Sequence, residues 1–533
     1  MANKTQTIRI ESVLGGHAPT THFGAPNQYR ASLGIDPSQP IDDAGATTST
    51  IGSGLIRPVA SEKFTSTDLR SAPLWMVPNP KNSLVYVYDA RGSIYSVDAA
   101  FTGITDVNGI DSAVASGNGL AYYDNYIYGT SGTNIWRYGP LNGAPSLNKN
   151  YWTTTLSKTA LVDTTYPVSF KNKIEYPNHV LHRHSNGRLY IADVVDNQGT
   201  LHYIATTKTT VEGDTDNSST YDNVNVGYGL WPTAMETYGT DLAIAFYEGD
   251  TSSLRQPRAK LAFWDTTSAN VNKIVWVEYP DQYISAIKNV NGILYVISGN
   301  IQAQGFRVTR FIGGYTFEEV WYSETGEPCM PGAVDGILNQ FLVGNYTNVP
   351  ESDGCVYAKG LQKNALGGGT FNTMRSTGGN SSTCVTSVLV ADNNEFAFLG
   401  PVIGWTQAGD GSTGVSHGID KQGTSYDNAP SVWWSQVYRI GQRFQIQKIR
   451  IPFAQAVATN MTLVATIYTD DGSTTTALTT INDTNFTKGE RFISFRPDGL
   501  YAQNNFWIEL KWTGSALLTV SLPIEIDFEI IQE

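Results

Sequence analysis

The stretch that decides the fold is SLVYVYDARGSIYSVD, Ser83–Asp98. On a strand, Leu84, Tyr86 and Tyr88 project to one side and Val85 and Val87 to the other. Both faces are apolar, so the strand must be covered on both sides. Asp89, Ala90, Arg91 and Gly92 carry hairpin turn chemistry. A single hairpin cannot bury two faces, so it needs neighbours on either side.

Those neighbours are written along the chain. The same order of short apolar strand, polar turn and second strand returns in GLAYYDNYIYGTSGTNIWRYG and HVLHRHSNGRLYIADVVDNQGTLHYIA. It returns again in TAMETYGTDLAIAFYEG with KLAFWD, and in ISAIKNVNGILYVISG with FRVTRFIGG. GAVDGILNQFLVGNY with CVYAKG and VTSVLVADNNEFAFLG complete the set. Aligning the central strands places Tyr86, Ile127, Tyr190, Ala243, Tyr295, Leu342 and Ala397 in equivalent positions. The spacing, on the order of 40–60 residues, is that of four-stranded propeller blades. About seven blades are expected over residues 71–423, each small sheet burying its faces against the next.

Two segments lie outside this period. Residues 1–70 are rich in Gly, Pro, Thr and Ser with sparse, aperiodic apolar residues, which predicts an extended arm, disordered or lying across another surface. Beyond the polar linker DKQGTSYDNAPS, residues 424–533 predict an antiparallel β-sandwich of jelly-roll type. In RFQIQKIRIPF the alternation of Phe444 and Ile446 slips at Gln447-Lys448 before resuming at Ile449, Ile451 and Phe453, as a β-bulge would make it. Near the end, Val520, Leu522, Ile524, Ile526, Phe528 and Ile530 alternate with Ser521, Glu525, Asp527 and Glu529, one face dry and one wet.

The 533 residues carry a net charge of −13 and no Lys/Arg cluster, which argues against a protein that grips phosphates but does not exclude a surface past which DNA slides. Three cysteines, Cys329, Cys355 and Cys384, form no CxxC pair and imply neither a zinc site nor a disulfide framework. The N-terminal residues show no apolar secretory h-region, and no apolar run reaches 18 residues. Folding in a reducing cytosol is the expectation.

His182 and His184 share a strand face, and His202 belongs to the same blade, so three imidazoles would suit zinc. No carboxylate or cysteine at characteristic spacing supports that, and polar residues on an inner strand or blade edge is the simpler reading. Asp214, Asp216, Ser218 and Asp222 fit four places of a calcium loop, but its glycine and final glutamate are missing, which favours a solvated acidic loop. No G-x-S-x-G elbow and no Cys–His pairing appears; Cys329 and Cys384 stand at blade starts, where a small apolar residue packs. No catalytic, metal or cofactor site is therefore expected, and no enzyme. Among the aromatic residues, Trp433, Trp434, Trp507 and Trp512 cluster toward the C-terminus. Alternation in FWIELKW sets Trp507 opposite Phe506 and Ile508, so at least one ring should face outward or into a partner.

IESVLGGHAPTTHFGAPNQYRASLGIDPSQP and SGLIRPVASEKF in the arm, with SVWWSQVYRIGQRFQIQKIRIPFAQAV and NNFWIEL near the C-terminus, resemble virion structural proteins of tailed bacteriophages. The resemblance implies a tail component of nozzle, collar or fibre-attachment type. It would assemble in the bacterial host cytoplasm as a homo-oligomer with adaptor, portal-proximal or fibre proteins, and would line a DNA conduit without reading sequence. The alternative is a tail protein that binds or cleaves a host-surface glycan.

Overall fold

The computed structural model describes residues 5–12, 16–17, 28–33, 35–36, 57–58, 61–63, 69–79, 84–98, 103–107, 117–161, 179–205, 224–248, 258–266, 275–300, 305–314, 316–323, 329–337, 340–344, 355–360, 368–372, 383–391, 400–407, 416–422, 431–454, 456, 462–469, 476–481, 491–496, 501–502, 504–512 and 518–531. Within them the protein is almost entirely β, with one short helical turn at Tyr151–Thr155.

Seven antiparallel sheets follow one another and form a β-propeller. Blade 1 comprises Pro73–Asn79, Leu84–Asp89, Ile94–Val97 and Ile104–Asp106; blade 2, Gly117–Tyr123, Tyr126–Ser131, Asn134–Gly139 and Ser146–Asn148. Blade 3 comprises Leu181–Arg183, Arg188–Val195, Gln198–Ala205 and Val224–Tyr228; blade 4, Leu230–Tyr238, Asp241–Glu248, Arg258–Trp264 and Val275–Glu278. Blade 5 comprises Tyr283–Val290, Ile293–Gly299, Phe306–Gly313 and Thr316–Ser323; blade 6 begins with Val334–Ile337, Gln340–Gly344, Cys355–Gly360 and Gly368–Asn372. Blade 7 takes Thr383–Ala391, Gly400–Gln407 and Ser416–Gln422 from its own stretch. The first strands meet in order around a ring, and that of blade 7 returns to that of blade 1.

Residues 84–98 behave as their alternation requires. Val85 and Val87 pack with Leu389, Val402 and Ile419 of blade 7, while Tyr86 and Tyr88 pack with Leu120, Ile127 and Trp136 of blade 2. The Asp89 carboxylate accepts the Arg91 and Ser93 amides at 2.9 and 2.7 Å, closing the turn. Of the seven anchors aligned from the sequence, six lie on the second strands of their blades; Ala397 lies outside the described residues. Hairpins at Asp124-Asn125, Asp196-Asn197 and Asn291-Gly292 place both central residues at positive φ, the geometry that matches strand twist and that Asn, Asp and Gly tolerate.

A bulge recurs in the first strands of blades 1, 2, 4, 5 and 7. In blade 4 the bulged Thr233 donates its hydroxyl to Ile284 O of blade 5 at 2.8 Å. In blade 7 the bulged Thr386 donates to Pro73 O of blade 1 at 2.7 Å, and Ser387 reaches the same carbonyl at 2.7 Å. The bulge frees a side chain from the ladder and aims it at the next blade, so the same clamp that joins blades 4 and 5 closes the ring.

The N-terminal segment does not lie apart. Ser61–Lys63 pairs with Ser416–Gln422 as the fourth strand of blade 7, and Ile35–Asp36 and Arg57–Pro58 extend blade 6. Further upstream, Thr5–Ile10 pairs with Ile524–Ile530, and Gln28–Leu33 pairs with Ser431–Ser435.

The C-terminal strands form two sheets. One runs Thr5–Ile10, Ile524–Ile530, Phe444–Pro452 and Phe492–Phe495; the other runs Gly16–His17, Gln28–Leu33, Ser431–Ser435, Asn505–Trp512, Leu463–Thr469 and Thr476–Ile481. Ile449, Ile451, Ile524 and Ile526 from the first share one apolar cluster with Trp433, Phe506, Ile508 and Leu510 from the second. The register of Phe444–Pro452 shifts between Ile446 and Lys448, leaving Gln447 as the extra residue.

Candidate functional site

Two places gather chemistry-bearing side chains. The first is the wall of the ring's centre. His182, Glu236, Lys288 and Asp335 stand opposite Tyr190, Ala243, Tyr295 and Leu342, the anchors of blades 3 to 6, so they occupy one register position in four successive blades. They join into a chain. His182 Nε2 lies 2.8 Å from Thr237 Oγ1 and 4.0 Å from Glu236 Oε1. Lys288 Nζ lies 3.8 Å from Glu236 Oε2 and 3.1 Å from Asp335 Oδ1. Asp335 Oδ2 accepts the Val390 amide of blade 7 at 2.7 Å, and Asn289 Nδ2 donates to Thr237 O at 2.8 Å. Five blades are thus linked through their first strands.

The charges in this chain are set by burial and by each other. The Asp335 carboxylate, and then Glu236, hold the Lys288 ammonium protonated well above the usual lysine range, against the cost of burial. Burial raises the Glu236 carboxyl, which Lys288 only partly offsets. Burial, helped by the charges of Lys288 and His184, pushes His182 down to about 3, so its imidazole is neutral at physiological pH.

Trp75 of blade 1 occupies the middle. Its indole packs against the apolar clusters of blades 1–2, of blades 3–4 and of blades 5–7, and it lies beside Gly332 at the entry to blade 6. A side chain that touches blades on opposite sides of a ring reaches into its interior, where Trp75 stays half-exposed. Alignment of the repeats contained the signal for the polar chain, namely the residue facing each anchor; Trp75 left no such signal, because its neighbours belong to distant blades.

The sequence candidates are distributed differently from a metal cluster. His182 points to blade 4, His202 Nε2 lies 3.3 Å from Asp193 Oδ2 within blade 3, and His184 is buried edge-on against Tyr190. No group of three or more His, Cys, Asp or Glu suited to a metal is gathered among the described residues. Thr237, His182 and Glu236 do not form a nucleophile–base–acid relay, since hydroxyl and carboxylate both approach the same imidazole nitrogen. Asp214, Asp216, Ser218 and Asp222 lie outside the described residues. Cys329 is buried near Ser285 in the apolar cluster of blades 5–7, and burial pushes its thiol up to about 12. No helix among the described residues is long and apolar enough to cross a membrane.

The second place is the outer face of the larger C-terminal sheet. Residues of Asn505–Trp512 alternate as expected, with Phe506, Ile508, Leu510 and Trp512 buried and Trp507, Glu509 and Lys511 half-buried on the other side. Trp433 enters the core; its neighbour Trp434 is turned outward. Tyr468 stands directly opposite Trp507, ring on ring, with centroids 5.1 Å apart and planes 2° from parallel. Trp434 leans in from the other side, 6.1 Å from Tyr468. Glu509 Oε2 accepts both the Trp434 indole N–H at 2.7 Å and the Tyr468 hydroxyl at 3.2 Å.

No protein-family model matches the chain, and no curated protein matches it. Among solved structures it is similar to the β-propeller domain of Myceliophteria thermophila Cps50 (Swd1), with 10% identity, a TM-score of 0.41, and coverage of 68% of this chain and 100% of that one. It is also similar to the WD40 domain of Neurospora crassa Pan2, with 7% identity, a TM-score of 0.39, and coverage of 69% and 95%. Chaetomium thermophilum Raptor aligns at 11% identity with a TM-score of 0.43 over 69% of this chain and 30% of its own. At such identities these likenesses concern the fold alone.

Proposed function

We propose that the protein is a structural subunit of a bacteriophage tail, at a nozzle, collar or fibre-attachment position. It works by homo-oligomeric assembly with other tail proteins in the virion and is made in the host cytoplasm. The observation that carries this reading is the course of the N-terminal segment. One continuous stretch supplies strands to both C-terminal sheets, then to blade 6, then to blade 7. The pairings to the C-terminal sheets and to blade 7 are ladders of backbone hydrogen bonds and that to blade 6 is a single paired position, so pulling on either unit loads the other through main chain rather than through a free linker. That construction suits a part that transmits force within an assembly. The resemblance of its two ends to virion proteins points the same way.

Two further features shape the proposal. Trp75 reaches into the ring's interior, which favours passage of DNA between subunits over passage through a propeller. The net charge of −13 would keep a conduit wall from holding DNA. The test is the mass of the full-length protein by size-exclusion chromatography with light scattering, together with mass spectrometry of purified virions. A ring-sized oligomer or a trimer present in virions is expected. A strict monomer that is missing from virions overturns the reading.

A further inference from the structure

We infer that the smaller C-terminal sheet is continued by a second copy of this chain, the edge strand Thr5–Ile10 of one copy pairing with the edge strand Phe492–Phe495 of the next. These two strands end that sheet on its two sides. Thr5, Gln6, Thr7 and Arg9 are exposed, and among the described residues the strand makes no backbone hydrogen bond on its outer side. Every second residue of an edge strand turns its N–H and C=O away from the sheet, which makes the edge a template for another strand.

The other described edges are blunted. The last strands of blades 1, 2 and 4, Ile104–Asp106, Ser146–Asn148 and Val275–Glu278, have three, three and four residues. Those of blades 3 and 5 are bulged, as is Thr476–Ile481 at one end of the larger C-terminal sheet; Gly16–His17 at its other end has two residues. Blades 6 and 7 end in the short N-terminal strands Arg57–Pro58 and Ser61–Lys63. Thr5–Ile10 has six residues in unbroken register, no proline and no charge on its core side.

Direction, facing and charge select the occupant. Three successive antiparallel pairings separate Thr5–Ile10 from Phe492–Phe495, so the two run in opposite directions and a joint between them extends the sheet antiparallel. Ile493 lies in the core, and Phe492 and Ser494 are exposed on the wet face. A joint that keeps wet beside wet would cover Ile8, which is only partly buried against the core. It would also give a neighbour to Phe492, which is 47% exposed beside the Arg450 guanidinium. Arg491 and Arg496, at the two ends of that strand, are exposed and form no ion pair among the described residues. The opposite edge is acidic: Glu525, Asp527 and Glu529 stand one strand in, behind the short side chains of Thr5 and Thr7, and Glu11 follows the strand. Two like edges would set like charges together, so the joint is head to tail, the kind that closes a ring. This inference rests on the homo-oligomeric assembly proposed above and names the surface that makes it.

The experiment is the mass of full-length proteins by size-exclusion chromatography with light scattering. Gln6 is exposed on the core side of its strand, opposite Phe528. Gln6→Lys puts a charge there that stays in water in a single copy and is covered in the joint. Phe492→Ser combined with Arg496→Glu removes the ring and reverses the charge of the other edge. The parent should be an oligomer of more than two copies, and each variant a monomer. An equimolar mixture of the two variants should give a heterodimer and nothing larger, because each keeps the edge that the other has lost. Gln6→Asn, which adds no charge, should assemble as the parent does. A monomeric parent overturns the inference, and mass spectrometry of virions then decides separately whether the assembly reading stands. An oligomer unchanged in variants whose circular dichroism matches the parent also overturns it. So does assembly of either variant alone, which would mean that like edges pair.

Discussion

Gly129 shows how much a single residue decides in this fold. It faces Trp136 across a strand pair in blade 2, and a Cβ built there would lie 2.1 Å from the indole Cζ2. Gly418 stands to Trp405 in blade 7 in the same way, at 2.3 Å. In each pair the missing side chain is the space the indole occupies, and Trp136 passes that packing on to Tyr88 of blade 1 at 5.1 Å, edge to face. Gly129→Ala should therefore lower the urea midpoint, at a cost of about 1–3 kcal/mol for overpacking. Gly103→Ala, in open space, should leave it unchanged. His182 gives a second residue-scale expectation. Its folded pKa, about 3, lies below the usual histidine value, so between pH 6.5 and 3 the unfolded chain binds the extra proton. Stability contributed by the neutral imidazole is present above that window and is lost as pH falls through it. His417, lowered to about 4 by burial and then by Arg91, acts in the same direction, whereas the raised Glu236 carboxyl opposes it. Thermal melts from pH 7 down to pH 4 should fall in midpoint, and His182→Asn should flatten that slope.

At the scale of the element, the bulged first strand is the repeated device. It turns a hydroxyl out of the ladder and across to the next blade, and the two clamps differ in redundancy. Ile284 O receives Thr233, whereas Pro73 O receives both Thr386 and Ser387. Thr233→Val should cost about 1–2 kcal/mol, since it leaves a buried carbonyl without its hydroxyl partner. Thr386→Val should cost less, and Thr386→Val with Ser387→Ala should cost more than the two single changes together. Chemical denaturation followed by tryptophan fluorescence measures all four proteins. These bulges were not legible in the blade strands of the sequence, because a one-residue slip in a strand buried on both faces exchanges no wet face for a dry one. The bulge at Gln447 was legible, because Phe444–Pro452 has one wet face and the slip exchanges polar for apolar.

For the whole molecule, the N-terminal segment is the fastener. Without Thr5–Ile10 the edge of Ile524–Ile530 is bare, and without Ser61–Lys63 blade 7 has three strands and an open edge. Open edges pair with other chains. Deleting residues 1–12 should lower the melting midpoint and raise light scattering on heating. Deleting residues 1–63 should go further and give protein that aggregates on purification. An unchanged melt in the shorter deletion would mean that the terminal strand adds nothing to the C-terminal sheets.

Local alternation determined the strands, the blade period and the facing of residues such as Trp507, because side-chain direction on a strand depends only on position along it. It also carried, unread, the register position of His182, Glu236, Lys288 and Asp335 opposite the blade anchors. What covers an edge is another matter. The pairing of Thr5 with Glu529 spans nearly the whole chain, and Ser61–Lys63 has no apolar pattern to announce a strand. Backbone hydrogen bonds that fasten an edge ask nothing of side chains, so only the assembled fold could choose their partners. The same holds for Trp75: a ring has a centre only once it has closed.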